Sequence, residues 1–315
     1  METIEPIDVV YESMNVRDLA YIVAIERHGS ITRAAEACEV TQPTLSTQVA
    51  KVERELGVVL FEREGRGLRL TAAGRSVLDH AQRVLGAVND LVAAAQEHVD
   101  PVAGNLRLGL IPTLAPYLLP HLLPVMRTVL PRLEPTIIEE QTASLLAKLR
   151  AGEIEAAMIA TVPEDARLEM TRLFDEPLWV AMSAHHPLAS RTTIESSDID
   201  PSTLLLLSEG HCLRDQAIAL CAEPALGLGI SGDFRAASLE TIMHLVESGF
   251  GVTLVPELYV RQKRVLSDGI ALRPYASEGA ARSICLAYRN GTARRVALAE
   301  IAKLTRGIWK RLSAT

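Results

Sequence analysis

The chain has 315 residues, a net charge of −7, 48% hydrophobic residues and 4% aromatic ones. That length allows two or three domains with aliphatic cores, and the negative balance argues against a protein coated in basic surface. The opening stretch, METIEPIDVVYES, is acidic and lacks the apolar core of an export signal, and the most apolar run, Leu204 to Leu207, is too short to cross a membrane. With only four cysteines, the expectation is a cytoplasmic protein in a reducing environment.

After an extension over residues 1–13, apolar residues recur at helical spacing through Leu19, Ile22, Val23 and Ile25. This predicts a helix from Met14 to Arg27. Ser30 reads as the N-cap of a second helix, Ile31 to Glu39, in which Ala34 and Ala35 allow close approach. Thr41 reads as the N-cap of a third, with Pro43 tolerated in its first turn and Gly57 at its end. Leu45, Val49, Val52 and Leu56 line one face of that helix, and Gln42, Thr44, Ser46, Gln48 and Lys51 line the other. Amides and hydroxyls at a leading helix end suit base edges and phosphates, which makes this a helix-turn-helix reading. Arg63, Arg66 and Arg69 around Gly65 and Gly67 then fit a β-wing. Residues 14–75 carry roughly +1, so a plain three-helix packing unit stays open beside the DNA-binding one.

Thr71 reads as the N-cap of a long helix ending near His98. Val77, Ala81, Val84, Val88, Leu91 and Ala95 alternate steps of four and three, the pattern of a dimerising coiled-coil seam. Asp100, Pro101 and Gly104 break it as a hinge over 100–104. Beyond lies a β-α-β-α rhythm: strand Leu106–Leu110, helix Tyr117–Leu130, strand Thr136–Glu140, helix Ser144–Ala151 and strand Ala156–Ala160. It predicts an open α/β sheet. A second lobe is expected over 177–281, with a helix Ser238–Gly249 and a strand Val252–Val255. The chain then returns to the first lobe, 105–176 and 282–315, through Ser283–Tyr288.

Cys212 and Cys221 lie nine residues apart in GHCLRDQAIALC. A helix is expected to start at Cys212, where the dipole together with His211 and Arg214 would favour a thiolate, against Asp215. On an ideal helix nine residues rise about 13.5 Å, far beyond the Cα separation a disulfide tolerates. Joining the two cysteines would therefore mean refolding the segment. The alternatives are inert buried cysteines, or a zinc site on His211, Cys212 and Cys221, although the fourth ligand is missing. Cys38 and Cys285 read as buried bystanders.

The run SITRAAEACEVTQPTLSTQVAKVERELGVVLFEREGRGLRLTAAG resembles the winged helix-turn-helix of LysR-type transcriptional regulators. Ala34-Ala35, Gln42-Pro43, Leu45-Ser46, Leu56-Gly57, Leu60-Phe61 and Leu70-Thr71 with Gly74 stand at that family's spacing. The resemblance implies a DNA-binding domain over 14–71, a dimerisation helix over 72–99 and a two-lobed α/β sensor domain over 105–315, similar to periplasmic binding proteins. DNA contacts would come from Ser30, Thr32, Arg33, Gln42, Pro43, Thr44, Ser46, Gln48, Arg63 and Arg66. IPTLAPYLLPHLLP, EEQT, GHCLRDQAIALC and FRAASLETIMHLV look like the peroxide-sensing, OxyR-like branch of the family. From that resemblance Cys212 would be the peroxide-reactive thiol and Cys221 the resolving one. Thr113, Thr142, His211 and Arg282 would surround the peroxide, although Ala281 stands where the branch tends to have a second basic residue. It further implies double-stranded DNA with dyad symmetry, a dimer of dimers and RNA polymerase as partners, with no cofactor, no metal and no membrane. A LysR-type regulator answering a small metabolite in the cleft and a thiol peroxidase are the competing readings.

Overall fold

The computed structural model describes residues 14–64, 67–97, 100–221, 238–261 and 268–314. The chain divides into two compact units, with the break in sequence near Val92.

The first unit holds α1 (Val16–His28), α2 (Ile31–Ala37), α3 (Gln42–Leu56), β1 (Phe61–Glu64), β2 (Gly67–Leu70) and α4 (Ala72–Glu97) as far as Val92. Asn15 and Asp18 form a capping box at α1, an entry signal absent from the reading by periodicity. Ser30 stands at the N-cap of α2 but its side chain makes no capping bond, contrary to expectation. That helix stops at Ala37, short of Glu39, because Glu39 takes the left-handed conformation at φ 54°. Thr41 caps α3 by accepting from the Thr44 N–H, and Gly57 ends it at φ 68°. Leu45, Val49 and Val52 bury one face of α3, while Ala34 and Ala35 let α2 close on it. β1 and β2 pair antiparallel from Phe61↔Leu70 to Glu64↔Gly67.

The apolar positions of α4 divide between buried and exposed ones. Ala81 is buried with Leu78 in the core of this unit, and Val77 packs against that core. Val84, Leu91 and Val92 are exposed.

The second unit is built on β3 (Gly104–Leu110), α5 (Ala115–Val129), β4 (Leu133–Glu139), α6 (Thr142–Ala151), β5 (Ala156–Ile159), β6 (Leu168–Ser183), α7 (Cys212–Cys221), α8 (Leu239–Glu247), β7 (Thr253–Pro256), α9 (Glu257–Arg261), β8 (Ile270–Pro274), β9 (Ala281–Arg289) and α10 (Arg295–Ser313). Its strand order is β4-β3-β5-β9-β6-β7, with β8 also on β6. β3 pairs parallel with β4 and β5, whereas β9 runs antiparallel to β5 and β6. Pro177, the expected start of the second lobe, is where the strand changes partners. It falls inside the single 16-residue strand β6, whose first half pairs with β9 and whose second half pairs with β7 and β8.

α5 begins before Tyr117 and carries Pro120 and Pro124 in its interior. Interior prolines ordinarily break a helix. Here Pro116, Pro120 and Pro124 recur every fourth residue on the exposed side, while Leu118, Leu122 and Met126 are buried opposite. Burial of that face offsets the lost backbone bonds. Among the described residues no helix is long and apolar enough to cross a membrane.

Candidate functional site

α7 begins after a tight entry. Gly210 sits at φ 90°, and a Cβ there would lie 2.3 Å from the Gln141 side-chain oxygen. Gln141 in turn donates to the Glu209 carbonyl at 3.2 Å. Gly210→Ala is therefore expected to lower the stability of the reduced protein by more than about 1 kcal/mol, since strain and crowding add. Urea unfolding checks this, and an unchanged midpoint would remove the constraint.

Cys212, Leu213, Ala217 and Cys221 form the buried side of α7. The two cysteines are its first and last residues, and all four cysteines of the chain are free. Their Cα atoms are therefore separated by about 13.5 Å along the helix axis. That span prevents the two thiols from ligating one zinc ion, whose bonds to sulfur are about 2.3 Å.

Burial pushes the Cys212 thiol above its ordinary value; Arg282, the Thr142 hydroxyl and the N–H groups of Leu213 and Cys212 act in the opposite direction. Desolvation thus works against the thiolate that the helix terminus and nearby charge favour. Two supposed helpers also change role. Burial holds His211 below the usual imidazole range, so at neutral pH it is a neutral donor and acceptor rather than a cation. Arg214 donates to the Leu207 carbonyl at 3.0 Å and so fastens the helix entry.

The cation at Cys212 is Arg282. Its side chain is fully buried with that of Glu176, and their closest atoms are 2.9 Å apart. Arg282 Nη1 donates to Thr113 Oγ1 at 2.8 Å and Nη2 to the Thr113 carbonyl at 2.9 Å. Glu176 also accepts from the Leu258 N–H at 2.8 Å. Burial pushes Glu176 upward, opposed by Arg282 and by that N–H. Thr113 is held by the guanidinium, not spent on capping a helix. Thr142 is the first residue of α6, two residues before the expected start, and its Oγ1 is buried without a well-formed hydrogen bond.

Spacing on the helix exposes one residue that motif reading passed over. Gln216 lies four residues after Cys212, on the same helical face. Its amide donates to the Ala160 carbonyl at 2.9 Å while its Oε1 is buried and unpartnered. The Thr142 hydroxyl and the Gln216 oxygen thus leave hydrogen-bonding capacity on elements that converge on Cys212. Cys221 sits at the other end, its Sγ 3.8 Å from the Tyr275 hydroxyl, and burial pushes its thiol upward too.

The remaining cysteines differ from expectation in one respect: Cys285 is buried, but Cys38 is only half-buried at the end of α2. Among the described residues no group of three or more His, Cys, Asp or Glu side chains is arranged to hold a metal ion.

In the first unit Thr32, Arg33, Gln42, Pro43, Thr44 and Ser46 are exposed, whereas Ser30 and Gln48 are half-buried. Thr32 Oγ1 donates to Gln42 Oε1 at 3.3 Å, joining the leading ends of α2 and α3. Arg66 and the Arg63 side chain lie outside the described residues.

The LysR substrate binding domain family matches residues 100–307, and the bacterial regulatory helix-turn-helix protein, lysR family, matches residues 16–75. The chain is 41% identical over 293 residues to the DNA-binding transcriptional dual regulator OxyR of Escherichia coli (strain K12), covering 93% of this chain and 95% of that protein. It is 38% identical over 289 residues to a probable hydrogen peroxide-inducible genes activator of Mycobacterium leprae, covering 92% of each. Among solved structures, a full-length OxyR cysteine-to-aspartate variant from Pseudomonas aeruginosa aligns with TM-score 0.76 and 38% identity, over 93% of this chain and 95% of that one. A hydrogen peroxide-bound OxyR cysteine-to-serine mutant of Corynebacterium glutamicum aligns with TM-score 0.65 and 33% identity, over 95% and 94%.

Proposed function

The chain belongs to the LysR family of transcriptional regulators, in its OxyR branch, and on that premise we propose that it reads hydrogen peroxide through Cys212 and passes the signal to DNA. The observation that carries this is the placement of two free, buried cysteines at opposite ends of one helix. Cys212 as thiolate attacks one peroxide oxygen. The O–O bond breaks, the departing hydroxide takes up a proton to leave as water, and a sulfenic acid remains. Cys221, losing its proton, then attacks that sulfur. The S–O bond breaks, water leaves and the disulfide forms.

Peroxide is small and uncharged, so hydroxyls and a neutral imidazole orient it. Thr142 and His211 serve that purpose, with Thr113 held in place by Arg282. The guanidinium supports negative charge on sulfur and on the leaving oxygen. Because the disulfide cannot form across an intact α7, oxidation refolds the helix.

On the DNA side, the exposed groups of α2 and α3 read a major groove, with the wing arginines on the backbone. The exposed Val84, Leu91 and Val92 of α4 supply a dimer seam. A dimer then recognises an operator of dyad symmetry, and a dimer of dimers lets the refolded sensor domains re-space the reading heads toward RNA polymerase. The working place of such a regulator is the cytoplasm.

Non-reducing peptide mapping before and after stoichiometric peroxide tests the proposal. A Cys212–Cys221 disulfide is expected within seconds to minutes of the addition, and none in Cys212→Ser. A free Cys212 in a protein that still binds DNA would turn attention to a metabolite in the cleft. Sustained turnover with a thiol reductant, instead of one oxidation per chain, would point to a peroxidase.

A further inference from the structure

The chemistry above needs Cys221 to leave one end of α7 and reach the other, and the structure holds Cys221 back. Tyr275 follows β8 directly and is buried at 4% exposure. Its own backbone is fixed on two sides. Tyr275 N–H donates to the Leu178 carbonyl at 3.1 Å, and the next N–H, of Ala276, donates to the Ile194 carbonyl at 2.9 Å. From this anchored position the hydroxyl donates to the Leu220 carbonyl at 2.7 Å and lies 3.8 Å from Cys221 Sγ.

Leu220 directly precedes Cys221 in α7. A rigid phenol thus holds a carbonyl of α7 and contacts the resolving thiol at once. We propose that Tyr275 is a positioning residue for the second step, a latch that keeps Cys221 and the end of α7 seated until Cys212 has reacted. The inference rests on the reading of Cys212 and Cys221 as the redox pair.

The two ends of α7 are held differently. Near Cys212, Gln141 holds the Glu209 carbonyl, Arg214 the Leu207 carbonyl and Gln216 the Ala160 carbonyl. Cys212 therefore stays, and Cys221 travels. Its Cα must approach by at least about 7 Å before sulfur meets sulfur, and both Tyr275 contacts break on the way. The latch opposes closure while the helix is intact, and it favours return to the helical form after reduction.

Tyr275→Phe tests this in the full-length reduced protein. The change is isosteric and removes only the hydroxyl. After one equivalent of hydrogen peroxide, samples quenched over time with a dimedone probe and iodoacetamide separate two rates by mass spectrometry. One is loss of the Cys212 thiol, and the other is conversion of its sulfenic acid to the disulfide. The first should match the native protein, because Tyr275 contacts the far end of α7. The second should rise about three- to tenfold, the ratio that one ordinary hydrogen bond supplies. Closing rates within twofold of native would overturn the latch, as would equal acceleration of both steps, which indicates general loosening. Absence of the disulfide in both proteins would sink the redox reading itself, so the two failures are distinguishable.

Discussion

Glu176→Ala is expected to destabilise the reduced protein by about 3–5 kcal/mol, the loss that follows when one member of a buried ion pair is removed. The cause is the charge left behind. Arg282 cannot shed its proton, its side chain is fully buried, and Glu176 is its carboxylate partner. Guanidinium chloride unfolding measures the loss, and a cost below about 1 kcal/mol would mean that water reaches the pair. The double replacement Glu176→Met with Arg282→Met should recover most of that stability, because paired charges give way to apolar volume. It should nevertheless slow oxidation of Cys212 by about a hundredfold, the typical penalty for removing one preorganised charge-stabilising group. Stability and reactivity part company in that variant. Recovery of both would assign Arg282 to packing alone.

The rate at which peroxide oxidises Cys212 is expected to climb steadily from about pH 7 to about pH 9, since only the thiolate reacts and its population grows with pH below its pKa. The direction follows from burial, which pushes the thiol above its ordinary value despite Arg282 and Thr142. Stopped-flow kinetics across that range provide the check. A flat profile would show that the thiol ionises in an arrangement other than the buried one. Stability carries the matching sign. A thiol whose folded pKa is raised binds its proton more tightly in the folded state. Its contribution is therefore complete below the unfolded value and is lost as pH rises through the folded value. Burial moves Cys221 and Cys285 in the same direction. The reduced protein should accordingly lose stability in alkali, and Cys212→Ser should lose less.

Local pattern carried much of this molecule. The apolar spacing of α1 and α3, Thr41 and Thr71 as caps, and Gly57 as a stop are properties of short stretches, and the chain obeys them. The alternation of β3, α5, β4, α6 and β5 was legible for the same reason. So was the start of a helix at Cys212, and with it the separation that makes a disulfide a refolding event. Local pattern found α5 in spite of its interior prolines, starting it at Tyr117 rather than Ala115, but it could not show that Pro177 lies within one continuous strand where pairing passes from β9 to β7 and β8.

The electrostatics of the site were a different matter. Local spacing pointed to His211 and Arg214 as the stabilising charges because they are neighbours of Cys212 in the chain, and Arg282 entered only through the family resemblance. Tertiary structure instead buries His211 as a neutral ring, turns Arg214 to a carbonyl and brings Arg282 to Thr113 and Glu176. It likewise set Tyr275 against Leu220 and Cys221. Sequence by itself determined which thiols lie on one helix and how far apart they stand, since helical rise is a local quantity. Only the tertiary structure decided how hard each thiol is to ionise and what restrains it, because desolvation and charge depend on groups that chain folding, not spacing, brings together.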